Sequence, residues 1–289
     1  MRTHSHSSEI RRILVALDAS PHSLAALEAA VDFAARIQAE LTGLFVEDVE
    51  LLRLADSPYA FEILLPSATI VPLERAAMEA KLKAHSEGVK NALAAAAQRA
   101  RVPWSFRTAR GHVASEILAA LAEADLLAMA TIGSTFGRHF RFGSAALDSA
   151  KSALPVLLLP AHGRPLKGHL LVLYDGSAAA RRQMSFAAGL ASAGANRITV
   201  LLASVDQKRV GEWKEELKGL LGGSGADITY RSFDPKDDAA LVRAIKAEKE
   251  GVLLLAGRIF LEKLRNLESY LDESEMSLLL CDGSEVEAE

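Results

Sequence analysis

The sequence predicts an α/β fold, two doubly wound parallel-sheet (Rossmann-like) domains in tandem with about five strands each, and three observations predict it. The apolar runs are unbroken, as in RILVAL, LLAMA and VLLLA. Strands with that reading are buried on both faces, which requires helices above and below a parallel sheet. Ala-rich amphipathic segments alternate with those runs, the signature of βαβ units with right-handed crossovers. The whole series also occurs twice along the chain. Internal repetition of this kind sets the architecture before any single element is considered.

The first strand of each copy ends in the same way. ILVALDAS closes on Asp18 and Ser20, and LLVLYDGS closes on Asp175 and Ser177. Each is followed by an Ala-rich helix, SLAALEAAVDFAARI or AAARRQMSFAAGLA, and then by a second strand, ELTGLFVED or RITVLLASVD. Further along, GHVASEILAALAEADLLAMATIG and DDAALVRAIKAEKEGVLLLAGRI each read as a helix leading into a buried strand. PVLLLP and MSLLLCD end the copies. The polar, Gly- and Pro-bearing stretch 161–169 separates them as a connector. The expected domains are therefore 1–162 and 163–289.

The copies differ after the second strand. The first carries a long excursion over 48–80, and the second only a short link before GEWKEELKGLLGG. Long loops after strand carboxyl ends line or cover sites, so 47–80 is expected to act as a lid or as an interface element. In EWKEELK (212–218) the alternating charges predict a solvated helix face.

Composition removes several classes. Of 289 residues, half are hydrophobic and 6% aromatic, a balance that suits helices packed on a buried sheet better than an all-β sandwich. A net charge of −4 draws the chain to neither nucleic acid nor anionic lipid. The lone cysteine, Cys281, excludes a disulfide framework and reads as a small core residue of the last strand. The start MRTHSHSSEIRR lacks an apolar signal-peptide core, and no apolar run has the length of a membrane span, so a cytoplasmic location is expected. The sequence contains no G-x4-G-K-[ST], no G-x-G-x-x-G after the first strand, no G-x-S-x-G and no H-E-x-x-H. P-loop, dinucleotide-binding, common hydrolase and zincin chemistries are thereby set aside. The histidines lack metal-ligand spacing, and His112 is expected to assist the turn before its helix. No metal site and no catalytic residue is expected.

Two features point to a ligand. Asp18 and Asp175 stand at carboxyl ends of first strands, the edge where open α/β sheets bind ligands. A carboxylate there can accept hydrogen bonds from a ribose hydroxyl or an adenine amino group, although an Asp ahead of a Ser also serves to cap the next helix. After LLAMAT come Gly133, Gly137 and Gly143, then Ser144, with Arg138, His139 and Arg141 nearby. Glycines let backbone amides approach an anion closely, and a helix start at Ser144 would favour phosphate.

In combination these stretches resemble the universal stress protein family in a tandem two-domain form, over nearly the whole chain. The resemblance rests on ILVALDAS, LTGLFVED, the glycine and GS segment after the fourth strand, and the apolar strand introduced by Pro155. ATP-binding members carry a loop like G-x2-G-x9-G-[ST]. The matching positions here are Asp18, Val46, Ile132, Gly133, Gly143, Ser144 and Ala145. The resemblance implies that Asp18 and Val46 flank adenosine while Gly143, Ser144 and the following amides hold the phosphates of ATP, with Mg. It departs in one respect: from Gly133 to Gly143 the loop is three residues shorter than the pattern, about one helical turn.

The second copy keeps Asp175, Gly176 and Ser177 but has no glycine between Gly257 and Asp282, and Glu262, Glu268, Asp272, Glu273 and Glu275 follow. It is expected not to hold a triphosphate. Two readings stay open: a non-enzymatic stress-response protein binding an adenine nucleotide in its first domain, and an interaction scaffold binding none. A slow ATP hydrolase ranks below both, lacking a visible general base. The resemblance further implies that the two last strands pair within the chain as a pseudo-dimer, and it leaves room for a homodimer and for an unidentified protein partner.

Overall fold

In the computed structural model the described residues are 10–64, 67–130, 154–160, 168–192, 194–248, 250–256 and 275–281. The first half runs β1 (Arg12–Leu17), α1 (Pro21–Ile37), β2 (Glu40–Asp48), α2 (Val49–Ala55), β3 (Phe61–Leu64), β4 (Thr69–Pro72), α3 (Arg75–Ala100), β5 (Trp104–Gly111), α4 (Val113–Ala120), β6 (Leu126–Ala130) and β7 (Val156–Leu159). The second runs β8 (His169–Tyr174), α5 (Ala178–Ser192), β9 (Arg197–Leu202), α6 (Gln207–Leu221), β10 (Asp227–Ser232), α7 (Asp238–Lys246), β11 (Glu250–Ala256) and β12 (Glu275–Cys281).

Ten strands form one sheet in the order β10-β9-β8-β11-β12-β7-β6-β1-β2-β5. The arrangement β5-β2-β1-β6-β7 on one side is repeated as β10-β9-β8-β11-β12 on the other. Neighbours within each half are parallel, whereas β7 and β12 meet antiparallel, with Leu157 opposite Leu279 and Leu158 opposite Leu278. That seam gives each of the two strands a partner on both sides, so neither is left as an open edge.

Alternation along the strands divides the core. Ile13, Val15 and Leu17 of β1 face α1 and α3, while Leu14 faces the side of α4. One apolar cluster runs across both halves, joining α1, α3, α5 and α6 to one sheet face. The other unites α4 and α7 with the opposite face. α1 begins where Ser20 accepts from the Ser23 amide (3.1 Å) ahead of Pro21, and it ends at Gln38 in the left-handed region (φ 56°).

The excursion after β2 has structure of its own. Asp48 caps α2 by accepting from the Glu50 amide at 2.9 Å, and β3 and β4 form a separate antiparallel hairpin. Arg75–Asp56 and Lys81–Glu62 ion pairs, both 2.5 Å, tie it to α3. The hairpin is apolar and outward-facing, with Phe61 58%, Ile63 60% and Ile70 65% exposed. α3 starts at Arg75, so the end of the expected 48–80 excursion is helical. The connector is likewise shorter than expected: His169 is a buried strand residue whose ring bonds Thr199 at 3.0 Å, and 161–167 lie outside the described residues.

Candidate functional site

At the carboxyl edge of the first half, β1 and β2 end side by side. Leu17 pairs with Phe45, which sets Asp18 beside Val46 at the next position. The strand order reverses between β1 and β6, with β2 beyond β1 on one side and β7 beyond β6 on the other, the switch point that α/β sheets use for ligands. Two hydrogen bonds hold Asp18. Its backbone N–H donates to Ser23 Oγ (2.9 Å), and its Oδ1 accepts from the Ser20 amide (2.9 Å), while Ser20 itself caps α1. The capping role therefore belongs to Ser20, and Asp18 is fixed by the turn that leads to the cap. Val46 is half-buried, paired with Ala109 of β5, and packs on the α4-side core as do Ala16 and Met129.

Charged groups border this edge. Glu47 accepts from Arg110 Nε at 2.7 Å, and Arg110 also approaches Glu79 (3.6 Å), which Arg75 contacts at 3.3 Å. The Glu47 bond raises the Arg110 pKa, so this guanidinium stays charged. The chain of pairs runs from β2 and β5 through α3 to Asp56 of the excursion. His112 occupies the N-cap position of α4 without a side-chain cap bond. Its Nδ1 instead lies 3.4 Å from Glu50 Oε1, so the expected turn-assisting role passes to a contact with α2.

The remaining predicted positions, Ile132, Gly133, Gly143, Ser144 and Ala145, lie outside the described residues, as do Gly137, Arg138, His139 and Arg141. The structure thus brings Asp18 and Val46 together. Among the described residues no cluster of three or more His, Cys, Asp or Glu side chains suits a metal ion.

The equivalent edge of the second half is built on the same turn, with a polar-aromatic cluster on its α5 and α6 side. Asp175 Oδ1 accepts from the Ser177 amide (2.9 Å) and Ser177 Oγ from the Ala180 amide (3.1 Å). Here Tyr174 takes the place of Leu17 and is fully buried. Its hydroxyl donates to Glu216 Oε2 (3.0 Å), and Arg181 Nε donates to Oε1 (2.6 Å). Burial, followed by the Glu216 bond, pushes the phenol up to about 12. The Arg181 hydrogen bond, with that of Tyr174, holds the Glu216 carboxyl below its usual range.

Trp213 stands edge-on to Tyr174 (5.4 Å, 89°) and lies against Gly176, where a Cβ would come within 2.6 Å of the indole. Gly176 has φ +80°, a conformation that glycine adopts freely. Arg209 lies 6.0 Å from the centre of the indole. The cluster was not foreseen: Glu212, Glu215 and Lys218 are exposed, as the alternating charges of 212–218 suggest, whereas Trp213 and Glu216 are half-buried and turn to Tyr174. The available signal was the change from LDAS to YDGS between the copies.

A model of the universal stress protein family matches residues 9–160, more than half of the chain. The chain belongs to the universal stress protein family. Among solved structures it is similar to a universal stress protein from Archaeoglobus fulgidus, 19% identical with a TM-score of 0.68, over 97% of this chain and 99% of that one. It is also similar to a protein of unknown function from Pseudomonas aeruginosa, 15% identical with a TM-score of 0.60, over 95% and 93%. At such identities the likeness shows a shared fold and leaves function to the site. No match is found among curated proteins. As a universal stress protein, the chain has one carboxyl edge framed by Asp18 and Val46 and a second that repeats the Asp–Ser turn beside the Tyr174, Trp213 and Glu216 cluster.

Proposed function

We propose that this universal stress protein is a non-enzymatic stress-response regulator that binds one adenine nucleotide in a first domain, 1–162. The second domain, 163–289, serves as its permanent partner. The observation that carries the reading is the geometry of the first half's carboxyl edge. Asp18 is rigidly presented beside the apolar Val46, as recognition of an adenosine requires. The second half repeats the Asp–Ser turn, and there Trp213, Tyr174 and Glu216 cluster on the α5 and α6 side of the sheet. The phosphates, with Mg²⁺, would fall to Gly143, Ser144 and Ala145.

Regulation would follow from a population shift. A nucleotide at Asp18 lies beside Glu47 and Arg110, whose ion pairs lead to the excursion, so occupancy favours one setting of 47–80. A protein with a single cysteine suits the reducing cytoplasm, the compartment this reading assigns. Thermal melting with ATP, ADP and AMP plus Mg²⁺ tests it. Stabilisation following RT ln(1 + [L]/Kd), reduced in Asp18→Ala and abolished in Ser144→Asp, is the expected outcome. No shift with any of the three would overturn the nucleotide reading.

One observation favours the alternative, an interaction scaffold without nucleotide: the hairpin of β3 and β4 turns Phe61, Ile63 and Ile70 to solvent. That reading predicts no nucleotide shift, and a change of oligomeric state or partner capture on Ile63→Lys.

A further inference from the structure

A cleft opens at the join of the two halves, on the sheet face that carries α1 and α5. Its volume is about 840 Å³, and its walls come from the end of α1, from α5 and from the end of α6. Clefts of roughly 300–1,000 Å³ at domain junctions, mostly apolar with a few polar groups, are the usual form of small-molecule sites. Ile37, Phe186, Leu190 and Leu220 supply apolar surface, Gln38, Ser185, Ser192 and Ser224 supply polar surface in similar measure, and Gly189 lies on the wall. A smaller recess beside Phe33 and Gly168 shares Arg36, Ile37 and Leu190 with it.

The charge of the walls selects the ligand. Arg36 is the one charged residue lining the cleft among the described residues, in a chain with net charge −4. It makes no ion pair among them, unlike Arg99 with Glu28 or Arg107 with Glu123. The helix dipole explains a cation in the last turn of α1. It does not explain why, among the described residues, no carboxylate lines the walls. α1 has 17 residues, so the cleft lies about 25 Å from Asp18 at the other end of that helix.

We propose that this cleft is a second binding site, distinct from the strand edge, for a small organic anion with an apolar body. The guanidinium of Arg36 holds the anionic group, and the body lies along Phe186, Leu190 and Leu220. The proposal does not depend on nucleotide binding.

Calorimetric titration of the full chain with octanoate, and with octanol as the neutral analogue, tests it. The expected result is saturable binding of one octanoate per chain, weakened at least about tenfold by Arg36→Glu and abolished by Gly189→Trp. Octanol should bind at least about tenfold more weakly than octanoate. Both substituted residues are exposed, and far-UV circular dichroism verifies that each variant folds. Absence of saturable octanoate binding at about 1 mM would overturn the proposal, as would binding that Arg36→Glu leaves unchanged.

Discussion

Leu157→Ala and Leu279→Ala, singly and together, probe how firmly the two halves are joined. The two side chains are opposite one another across β7 and β12, and both are essentially inaccessible to solvent. They belong to the apolar cluster that also contains Ile13 and Leu93 of the first half and Met184 and Leu217 of the second. Removing a buried leucine to alanine forfeits its transfer free energy and leaves a cavity, together about 2–5 kcal/mol. Because the pair shares one contact, the double variant should cost less than the sum of the singles, by about 0.5–3 kcal/mol. Urea unfolding followed by circular dichroism supplies these values, with a single transition expected because the core is continuous across the seam. Additivity to within ~0.3–0.5 kcal/mol would refute direct packing at the seam. So would two separate transitions of which Leu279→Ala shifts only one.

Two further predictions concern the Tyr174 and Trp213 cluster of the second half. The Tyr174 phenol has a folded-state pKa of about 12 against about 10 in the unfolded chain, so its contribution is complete below pH ~10. Stability should fall as pH rises from ~10 to ~12, by at most about 3 kcal/mol, and this part of the decline should disappear in Tyr174→Phe; an identical alkaline decline in the variant would contradict the assignment. Gly176→Ala should destabilise by about 1–3 kcal/mol, since it combines positive φ with a clash against Trp213, whereas Gly211→Ala, in a helix with open space around it, should stabilise by ~0.5–1 kcal/mol. Chemical denaturation of both variants checks the pair, and equal effects would contradict it.

Much of the fold was legible because the central strands advertise themselves. β1, β6, β7, β8, β11 and β12 are buried on both faces, so their sequences are continuous Leu, Val and Ala runs that need no partner to be recognised. The outermost strands, β5 and β10, were not legible. WSFRTARG and DITYRS lie at the two margins of the sheet, half in water, and their alternating polar residues resemble loop composition. The hairpin of β3 and β4 escaped for the opposite reason: its apolar residues face outward, so they suggest a core that is not there.

The site divides in the same manner. Asp18 could be placed from sequence because strand ends locate the ligand edge of any doubly wound sheet. Its bond to the Ser20 amide could not, since DAS permits capping by either residue. The cluster in the second half depends on Trp213 and Glu216 reaching back from α6 to Tyr174, contacts between segments about 40 residues apart that no local pattern encodes.

The most direct test of the account is the stoichiometry of ATP binding, measured by calorimetry on the full chain with Mg²⁺. One ATP per chain is predicted, with binding lost in Ser144→Asp and retained in Trp213→Ala. Two ATP molecules per chain, or none, would contradict it.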